Sequence, residues 1–482
     1  MRRRTGSTAL KTEIGRLFRA RVEEARTPGV CFVVFDRAGT LFKGAVGRKN
    51  DAGELPDAQT FFRIASCTKS FTAAMCLVLR DEGALNLDDA ITHFVPELRP
   101  MLPRSTPVAP TIRMLMSMSG GLAYDDPWAD RQEAISALEF REILACGIRF
   151  HSVPGSKFEY SNLGYALLGQ VIEQVAGLPY CEAVARMIFQ PLGLRSTVFD
   201  FSELPSSNLA IGYRRAAGEW VRLPFSGPGA FSSIGGAIST PSDIAKWSRW
   251  LFAAFDADAK DGDVLSVASR REMQQIACPI LPARWIGAAC PQGYGFGLGI
   301  EEDRRFGRII SHSGGYPGFS AHMRWSIRAG IGVVAFENAT YSGAREPATE
   351  ALEKVLDALP DMHQRSEVPS DVRYLADRLM CLLSDWDSDT ADEIFLANLA
   401  LDRPYRERAF EIEELMGQVG RPNLALAEIV GKDCEAFGHF DLLVPCERGI
   451  LRCSVRLGPT LPPRVQELAV SCTFGVDGLR GK

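Results

Sequence analysis

The sequence predicts an α+β protein with an antiparallel sheet flanked by helices, a helical lobe and a small C-terminal α+β domain. Strand-like runs lie at both ends of residues 1–359, and helical patterns lie between them. A polar, proline-bracketed segment at 360–369 then predicts a linker. The 482 residues, 46% hydrophobic and 23% charged, are too many for one ordinary domain and can bury large cores.

Periodicity and turn residues locate the elements of residues 1–359. Near the start, apolar and charged residues mix as in an amphipathic helix, and a hairpin follows with its turn at 37–39. Glycines at every second position indicate a strand at 293–300. In chain order we predict a helix, two strands, a helical region and further strands: 14–25, 30–36, 41–46, 66–188 and 293–338. An antiparallel sheet of about five strands fits this order, with the functional site between sheet and helical lobe.

Residues 370–482 predict a second domain. Three helical patterns precede four strand-like runs: 371–383, 390–400, 405–418, 425–429, 440–444, 450–455 and 466–474. Helices followed by strands are typical of a small α+β domain, and we expect a cystatin-like shape.

The most informative motif is Ser66-Cys67-Thr68-Lys69, the only place where a lysine follows a serine at the third position. One helical turn separates the two residues, so in a helix the ammonium lies beside the hydroxyl. A serine is a poor nucleophile unless a neighbouring group takes its proton, and a desolvated lysine can do so. The apolar residues that follow favour such a buried helix over one with a surface lysine.

A second motif, Tyr160-Ser161-Asn162, precedes an apolar helical pattern at 167–176. A phenol held against a lysine ammonium can act as a general base, and an asparagine amide can hold that lysine or a substrate amide. The alternative is a half-buried tyrosine followed by an asparagine that caps the helix.

The third motif, His312-Ser313-Gly314-Gly315, lies among the strand patterns of 293–338. Small residues allow a strand backbone to approach a substrate closely, and a backbone N–H can then point at a developing oxyanion. The alternative is a glycine-rich hairpin turn with an exposed histidine.

Together, in this order, the three motifs resemble the serine beta-lactamase and penicillin-binding-protein superfamily, particularly its class C-like branch of esterases, D-aminopeptidases and related serine hydrolases. The resemblance covers residues 12–358 and extends to three further segments: 111–122, 190–194 and 235–243. It implies a beta-lactamase/transpeptidase-like fold for this part of the chain.

The resemblance also implies roles for individual residues. Ser66 would be the acylated nucleophile, Lys69 and Tyr160 the proton-transfer pair, and Asn162 an orienting residue. Which of Lys69 and Tyr160 is the base stays open, because two coupled groups titrate as a pair. Three residues would lie on the substrate and oxyanion side of the site: Ser313, Gly314 and Gly315. The N–H groups of Ser66 and Gly315 would form the oxyanion hole.

His312 departs from the pattern, since beta-lactamases and transpeptidases usually place a lysine there. A neutral imidazole anchors the carboxylate of a beta-lactam less well than a permanent cation does. We therefore expect a serine hydrolase that forms a Ser66 acyl-enzyme with an ester or with a small or D-configured peptide amide. The alternatives are an acyltransferase or peptide cyclase using the same acyl-enzyme, and a catalytically silent binding or sensor protein.

Related enzymes sometimes carry a C-terminal domain that selects substrate. For residues 370–482 such a role and a purely stabilising or dimerising role both remain open.

Composition argues against nucleic-acid and membrane partners, and the partners that we expect are small-molecule or peptide substrates. The net charge of −5 and the absence of a basic patch argue against nucleic acid as a partner. The sequence contains no apolar run of about 18 residues, so no membrane span is predicted. No cofactor or metal pattern is present, so none is expected. The basic first residues lack a following apolar segment, which predicts a cytoplasmic protein whose 12 cysteines are reduced. Cys67, beside Ser66, is the thiol to consider for alkylation.

Overall fold

The computed structural model describes residues 8–101, 108–281, 290–359, 368–431 and 437–474. The chain forms two compact units, Met1–His363 and Gln364–Lys482. Apart from residues 368 and 369, the predicted linker 360–369 lies outside the described residues.

The first unit is built on an eight-stranded antiparallel sheet in the order β2-β1-β12-β11-β10-β9-β8-β7. Its strands are β1 Gly29–Asp36, β2 Gly39–Gly47, β7 Cys278–Ile280, β8 Gln292–Tyr294, β9 Gly299–Asp303, β10 Gly307–Tyr316, β11 Phe319–Ser326 and β12 Ile331–Glu337. Two small two-stranded sheets are formed by β3 Phe62–Arg63 with β6 Ile238–Ser239 and by β4 Tyr213–Ala216 with β5 Glu219–Arg222.

Helices surround this sheet. Those of the first unit are α1 Thr8–Glu23, α2 Lys69–Asp81, α3 Ile112–Met116, α4 Asp126–Ala129, α5 Ala137–Cys146, α6 Asn162–Ala176, α7 Tyr180–Val184, α8 Ser232–Gly235, α9 Pro241–Phe252, α10 Val267–Met273 and α11 Arg345–Asp357. A 3-10 turn, Ala65–Thr68, leads directly into α2. The predicted α+β class, with strands at both ends and helices between them, is confirmed.

The central strands are buried on both faces. In β1, Cys31, Val33 and Phe35 belong to one hydrophobic core, whereas Val30, Phe32 and Val34 belong to another. The first core contains Trp247 of α9, and the second contains residues of α1 and α11. Since alternate residues of a strand point to opposite faces, the sheet lies between two helical layers.

Two sequence predictions need correction. The sheet has eight strands rather than about five, because short strands at its β7 edge give little periodicity. The glycine-alternating run at 293–300 is not one strand but β8 and β9 joined by a turn. Gly297 in this turn has a φ of +69°, and a Cβ there would lie 2.5 Å from the Lys69 carbonyl oxygen. Close approach to the Ser66 segment, rather than strand period, thus requires this glycine.

The second unit also follows the predicted order. Its helices are α12 Ser370–Ser384, α13 Ser388–Ile394, α14 Asn398–Asp402 and α15 Tyr405–Val419, and its strands are β13 Glu428–Gly431, β14 His439–Cys446, β15 Gly449–Leu457 and β16 Val465–Phe474. The strands form one antiparallel sheet in sequential order around a separate hydrophobic core. The helix predicted at 390–400 is split into α13 and α14. The cystatin-like shape stays a prediction.

Candidate active site

Ser66 and Lys69 lie side by side where the 3-10 turn joins α2. The Lys69 Nζ donates to the Ser66 Oγ at 2.9 Å and to the Ile234 carbonyl oxygen at 2.7 Å. Lys69 is fully buried, so the alternative of a surface lysine is excluded. Ala65, which precedes the serine, has a φ of 48°, a region that non-glycine residues rarely occupy. The backbone is therefore strained next to the hydroxyl, as is common at functional sites.

The protonation of Lys69 depends on its burial. Loss of solvent lowers the pKa of its ammonium to about 8, although the carboxylates of Asp130, Asp126 and Asp125 partly oppose this effect. The lowered pKa brings the neutral amine within reach near neutral pH. A neutral amine beside a serine hydroxyl is a competent proton acceptor.

Tyr160 completes a cluster around the serine hydroxyl. Its ring centroid lies 5.1 Å from the Lys69 Nζ, and both Tyr160 and Ser66 line the same cavity. Burial, with the nearby Tyr294 and Asp126, raises the pKa of Tyr160 well above its ordinary value of 10. The phenol therefore keeps its proton at neutral pH.

Asn162 lies behind this cluster. Its amide nitrogen donates to Asp126 at 2.6 Å and to Asp130 at 3.4 Å, whereas the hydrogen bonds of the Lys69 Nζ go to other groups. The helix cap at this point is Ser161, which accepts from the Gly164 N–H, rather than Asn162. Asn162 thus fixes carboxylates beside the serine.

His312 is buried on β10 and is not an exposed turn residue. Its Nδ1 lies 2.7 Å from the Ser313 carbonyl oxygen, and its Nε2 lies 2.8 Å from the Tyr294 hydroxyl. Because a carbonyl oxygen only accepts, Nδ1 carries the proton and Nε2 accepts from Tyr294. Burial and the charge of Lys69 lower the pKa of His312 to about 3, so the imidazole is neutral. His312 supplies no cation to a substrate.

The backbone of β10 approaches the Ser66 turn at Gly314. Pairing with β9 ends at Ser311, and beyond it β10 packs on the turn, where the Cys67 Sγ lies 3.4 Å from the His312 carbonyl oxygen. A Cβ on Gly314 would lie 2.1 Å from the Ile64 carbonyl oxygen. The glycine is therefore required for this contact.

We expect Gly314→Ala to lower both stability and activity, because the added methyl group would separate β10 from the serine turn. A destabilisation of roughly 1–3 kcal/mol is typical of such overpacking. Gly299→Ala is a matched control on β9, since a Cβ there would meet the Ser311 carbonyl oxygen at an ordinary 3.4 Å. Denaturant unfolding and ester turnover measure the two effects. Equal losses of stability and activity in Gly314→Ala and Gly299→Ala would contradict this account.

Ser66, Tyr160 and the motif from His312 to Gly315 line one cavity of about 480 Å³. Several of its wall residues were not predicted to form the site: Tyr294, Glu301, Ser320, Tyr341 and Arg345. Asp126, the first residue of α4, is also in the wall. Tyr294 lies in the glycine-rich run and could have been suspected from it. Arg345 and Glu301 carry no sequence motif, because folding alone brings them to the cavity.

Cys67 does not have the environment of a reactive thiol. It is 1% exposed, and burial raises its pKa to about 12. We expect iodoacetamide to leave Cys67 unmodified in the folded protein, while the exposed Cys146 and Cys381 react first. Peptide mapping by mass spectrometry measures the order, and early labelling of Cys67 would refute the buried geometry.

Two further features are missing from the part of the chain that the structure describes. There, no three or more His, Cys, Asp and Glu side chains are grouped to hold a metal ion. Within the same residues, no helix has the length and apolar character needed to cross a bilayer.

Comparison with known proteins agrees with this geometry. The Beta-lactamase family model matches residues 14–357. The chain belongs to the beta-lactamase family. The predicted resemblance to serine beta-lactamases and penicillin-binding proteins is confirmed, and with it the prediction of a serine hydrolase.

This family member is similar to two relatives in sequence and to a solved structure in fold. Esterase EstB of Burkholderia gladioli is 27% identical, with 72% of this chain and 95% of that protein aligned. D-alanyl-D-alanine-carboxypeptidase/endopeptidase AmpH of Escherichia coli K12 is 26% identical over 63% of this chain and 77% of its own. The octameric penicillin-binding protein homologue from Pyrococcus abyssi has a similar fold, with a TM-score of 0.62, 20% identity and coverage of 97% of this chain and 96% of that one.

Proposed function

We propose that this family member hydrolyses an ester, or a small or D-configured peptide amide, through an acyl-enzyme on Ser66. The observation that carries the proposal is the 2.9 Å contact between the Lys69 Nζ and the Ser66 Oγ, with the lysine buried and partly neutral. A nucleophile beside an unprotonated base at the wall of a cavity is the arrangement that acyl transfer requires.

In the acylation step, the Ser66 Oγ attacks the substrate carbonyl carbon and its proton passes to Lys69. We assign the base to Lys69, since the raised pKa of Tyr160 keeps its phenol protonated. As the tetrahedral intermediate collapses, the bond to the leaving group breaks and the Tyr160 hydroxyl donates a proton to it; Lys69 then returns a proton to Tyr160. In deacylation, Lys69 takes a proton from water as the water oxygen bonds to the acyl carbon. The bond between the acyl carbon and the Ser66 Oγ then breaks, the acid leaves, and Lys69 returns the proton to the Ser66 Oγ.

The N–H groups of Ser66 and Gly315 are proposed to stabilise the oxyanion. The close approach of Gly314 to Ile64 supports this role, because it holds the two backbone segments together at the cavity wall.

The neutral His312 supports an ester or amide substrate rather than a beta-lactam, since no permanent cation stands at its position. The names of EstB and AmpH, an esterase and a carboxypeptidase/endopeptidase, agree with both proposed classes.

Intact-protein mass spectrometry tests this proposal. The wild-type protein is incubated separately with a fluorophosphonate, a p-nitrophenyl ester, a D-amino acid amide and a beta-lactam. A fluorophosphonate adduct on the peptide that contains Ser66, with turnover of the ester or the amide, is expected. A folded protein that forms no adduct and turns over none of the four would favour a silent binding protein.

A further inference from the structure

Tyr341 connects the two sides of the cavity. It lies between β12 and α11, and its hydroxyl donates to the Oδ2 of Asp130 at 2.7 Å. Asp130 directly follows α4 on the helical side of the site. The Tyr341 ring packs against Gly315 of β10, where an added Cβ would lie 2.3 Å from a ring carbon. Tyr341 thus contacts both the strand of the proposed oxyanion donor and a carboxylate on the opposite side.

The backbone of Tyr341 is held in an unusual conformation. Its φ of 47° lies in a region that residues other than glycine rarely adopt, and such strain persists only where surrounding contacts enforce it. The segment after β12 is also tied to α1, because Arg21 pairs with the buried Glu337 and donates to the Ser342 carbonyl oxygen. The fold therefore holds the Tyr341 ring between Gly315 and Asp130.

Asp130 is a buried carboxylate whose charge depends on its partners. It is 4% exposed, and burial raises its pKa to about 6, although the charge of Lys69 and the Tyr341 hydroxyl oppose this rise. Burial and the Asp130 charge raise the pKa of Tyr341, so the phenol keeps its proton and donates it. The Asn162 amide reaches the other Asp130 oxygen at only 3.4 Å. The shorter Tyr341 hydrogen bond therefore favours the charged form of Asp130.

The charge of Asp130 in turn acts on Lys69. Among the carboxylates that raise the Lys69 pKa in opposition to burial, Asp130 has the largest effect. Asp125 and Asp126 act in the same direction, but both are less buried, and Asp126 lines the cavity. When Lys69 takes the proton of Ser66, a buried ammonium forms. A buried carboxylate beside it lowers the free energy of that state.

The other ionisable groups that act on this pair are neutral near pH 7. Burial raises the pKa of the phenols and of the thiol among them and lowers the pKa of the imidazole: Tyr124, Tyr160, Cys67 and His312. The charge of Arg131 acts on Tyr341, whose pKa it lowers slightly against the larger effect of burial. Within the described part of the chain, the three carboxylates are therefore the charges that favour the Lys69 ammonium.

We propose that Tyr341 is a positioning residue that holds Asp130 as the carboxylate stabilising the Lys69 ammonium during acylation of Ser66. The proposal rests on the proposed acyl-enzyme function and adds a further pair of residues to it. As the Ser66 Oγ bonds to the acyl carbon, its proton passes to Lys69. Asp130 takes no proton in this step, and Tyr341 keeps its own.

Tyr341→Phe tests the proposal, because it removes the hydroxyl and keeps the ring against Gly315. Loss of the hydrogen bond should raise the Asp130 pKa, so that Asp130 is charged less of the time near pH 7 and supports the Lys69 ammonium less. The inflection of kcat/KM for a neutral ester should then move to lower pH. At pH 6, kcat/KM relative to its plateau should be about threefold or more above the wild-type ratio.

The same variant should lower the plateau kcat by about two- to tenfold, since a weaker base accepts the serine proton less readily. KM should change little, because the lost hydrogen bond does not involve the substrate. A change in kcat and in the pH profile at constant KM is the signature of a positioning role.

Two further variants complete the experiment. In an Asp130→Asn background, Tyr341→Phe should cause no further shift of the inflection, because the carboxylate on which it acts is absent. Tyr213→Phe is the matched control. Its hydroxyl makes the same kind of hydrogen bond, to Asp51 at 2.5 Å, and neither residue lines the cavity. This variant should leave both the inflection and the plateau unchanged.

Carbon-13 NMR of protein labelled at the aspartate side-chain carboxyl measures the Asp130 titration without turnover. The Asp130 signal is assigned by its loss in Asp130→Asn. It should titrate at higher pH in Tyr341→Phe than in wild type, because the hydrogen bond to the charged form has been removed.

The outcomes separate the inference from the proposed function. If neutral esters react through Ser66 and the inflection of Tyr341→Phe equals that of wild type or moves to higher pH, the inference is overturned and the function stands. The inference is also overturned if Tyr341→Phe changes only KM, which would indicate a substrate contact, or if Asp130 titrates alike in both proteins. If no ester reacts and Ser66 is not labelled, both fall.

Discussion

Replacing Ser66 by alanine is expected to abolish covalent labelling and to lower kcat by on the order of 10⁴-fold or more. The Ser66 Oγ lies in the cavity wall at 2.9 Å from the Lys69 Nζ, and the Tyr160 ring lies 5.1 Å from that same nitrogen. Without that oxygen no acyl-enzyme can form, and only binding and oxyanion stabilisation by the remaining groups would accelerate the reaction. The fluorophosphonate adduct and the burst of p-nitrophenol release measure this loss.

Ser70→Ala is the matched control for this variant. Ser70 lies one turn further along α2, and its Oγ donates to the Cys67 carbonyl oxygen and accepts from the Trp247 Nε1. It makes comparable buried hydrogen bonds but does not line the cavity. Persistence of the adduct in Ser66→Ala would exclude Ser66 as the nucleophile. Loss of the adduct in Ser70→Ala with the fold intact would mean that labelling does not distinguish the two serines.

Lys69→Met is expected to lower kcat by about 10²- to 10⁴-fold, the usual contribution of a positioned general base. Methionine keeps much of the length and apolar volume of the lysine side chain but cannot accept a proton. Since the buried site disfavours the lysine charge, we expect the variant to fold with at least wild-type stability. A thermal unfolding temperature at or above that of the wild type would therefore show that the lower kcat reflects lost catalysis and not lost structure.

The pH dependence of the wild type follows from the same residue. A base must be unprotonated to act, so the kcat/KM of a neutral ester should rise about tenfold per pH unit below the Lys69 pKa of about 8 and level off above it. The pKa of His312, lowered to about 3, predicts no separate histidine inflection near pH 6.5. A profile with its only inflection near 6.5, or a flat profile between pH 5 and 9, would argue against Lys69 as the base.

The acidic groups behind the site offer a further check on that inflection. The carboxylates of Asp130 and Asp126 raise the Lys69 pKa, in opposition to burial. Asp130→Asn should therefore move the inflection to lower pH. A shift in the opposite direction would contradict this electrostatic account.

Short-range spacing explains why the sequence predicts so much of this site. Ser66 and Lys69 are one turn apart, and the motifs at Tyr160 and His312 are each contained in a few residues. Such local patterns can be recognised in the sequence without knowledge of the fold. Their assembly around one cavity follows only from the fold.

Other features depend on contacts between distant segments and escape the sequence. Neither the protonation of His312 nor the partners of Asn162 can be read from spacing, because both depend on residues that only folding brings near. Arg345 reaches the cavity from the first turn of α11. The spacing of the glycines predicts a strand through Gly297, but this glycine lies in a turn and is required by the close approach of the Lys69 carbonyl oxygen.

The double-sided burial of the central strands also divides the protein into regions of very different mutational tolerance. From Val30 to Phe35, every β1 side chain is at most 3% exposed, so a change on either face creates a cavity or a clash. The cavity wall contrasts with this, since Arg345 is largely exposed and Glu301 partly so. Variation in substrate preference, natural or engineered, can therefore accumulate at that wall while the strands behind it stay nearly fixed.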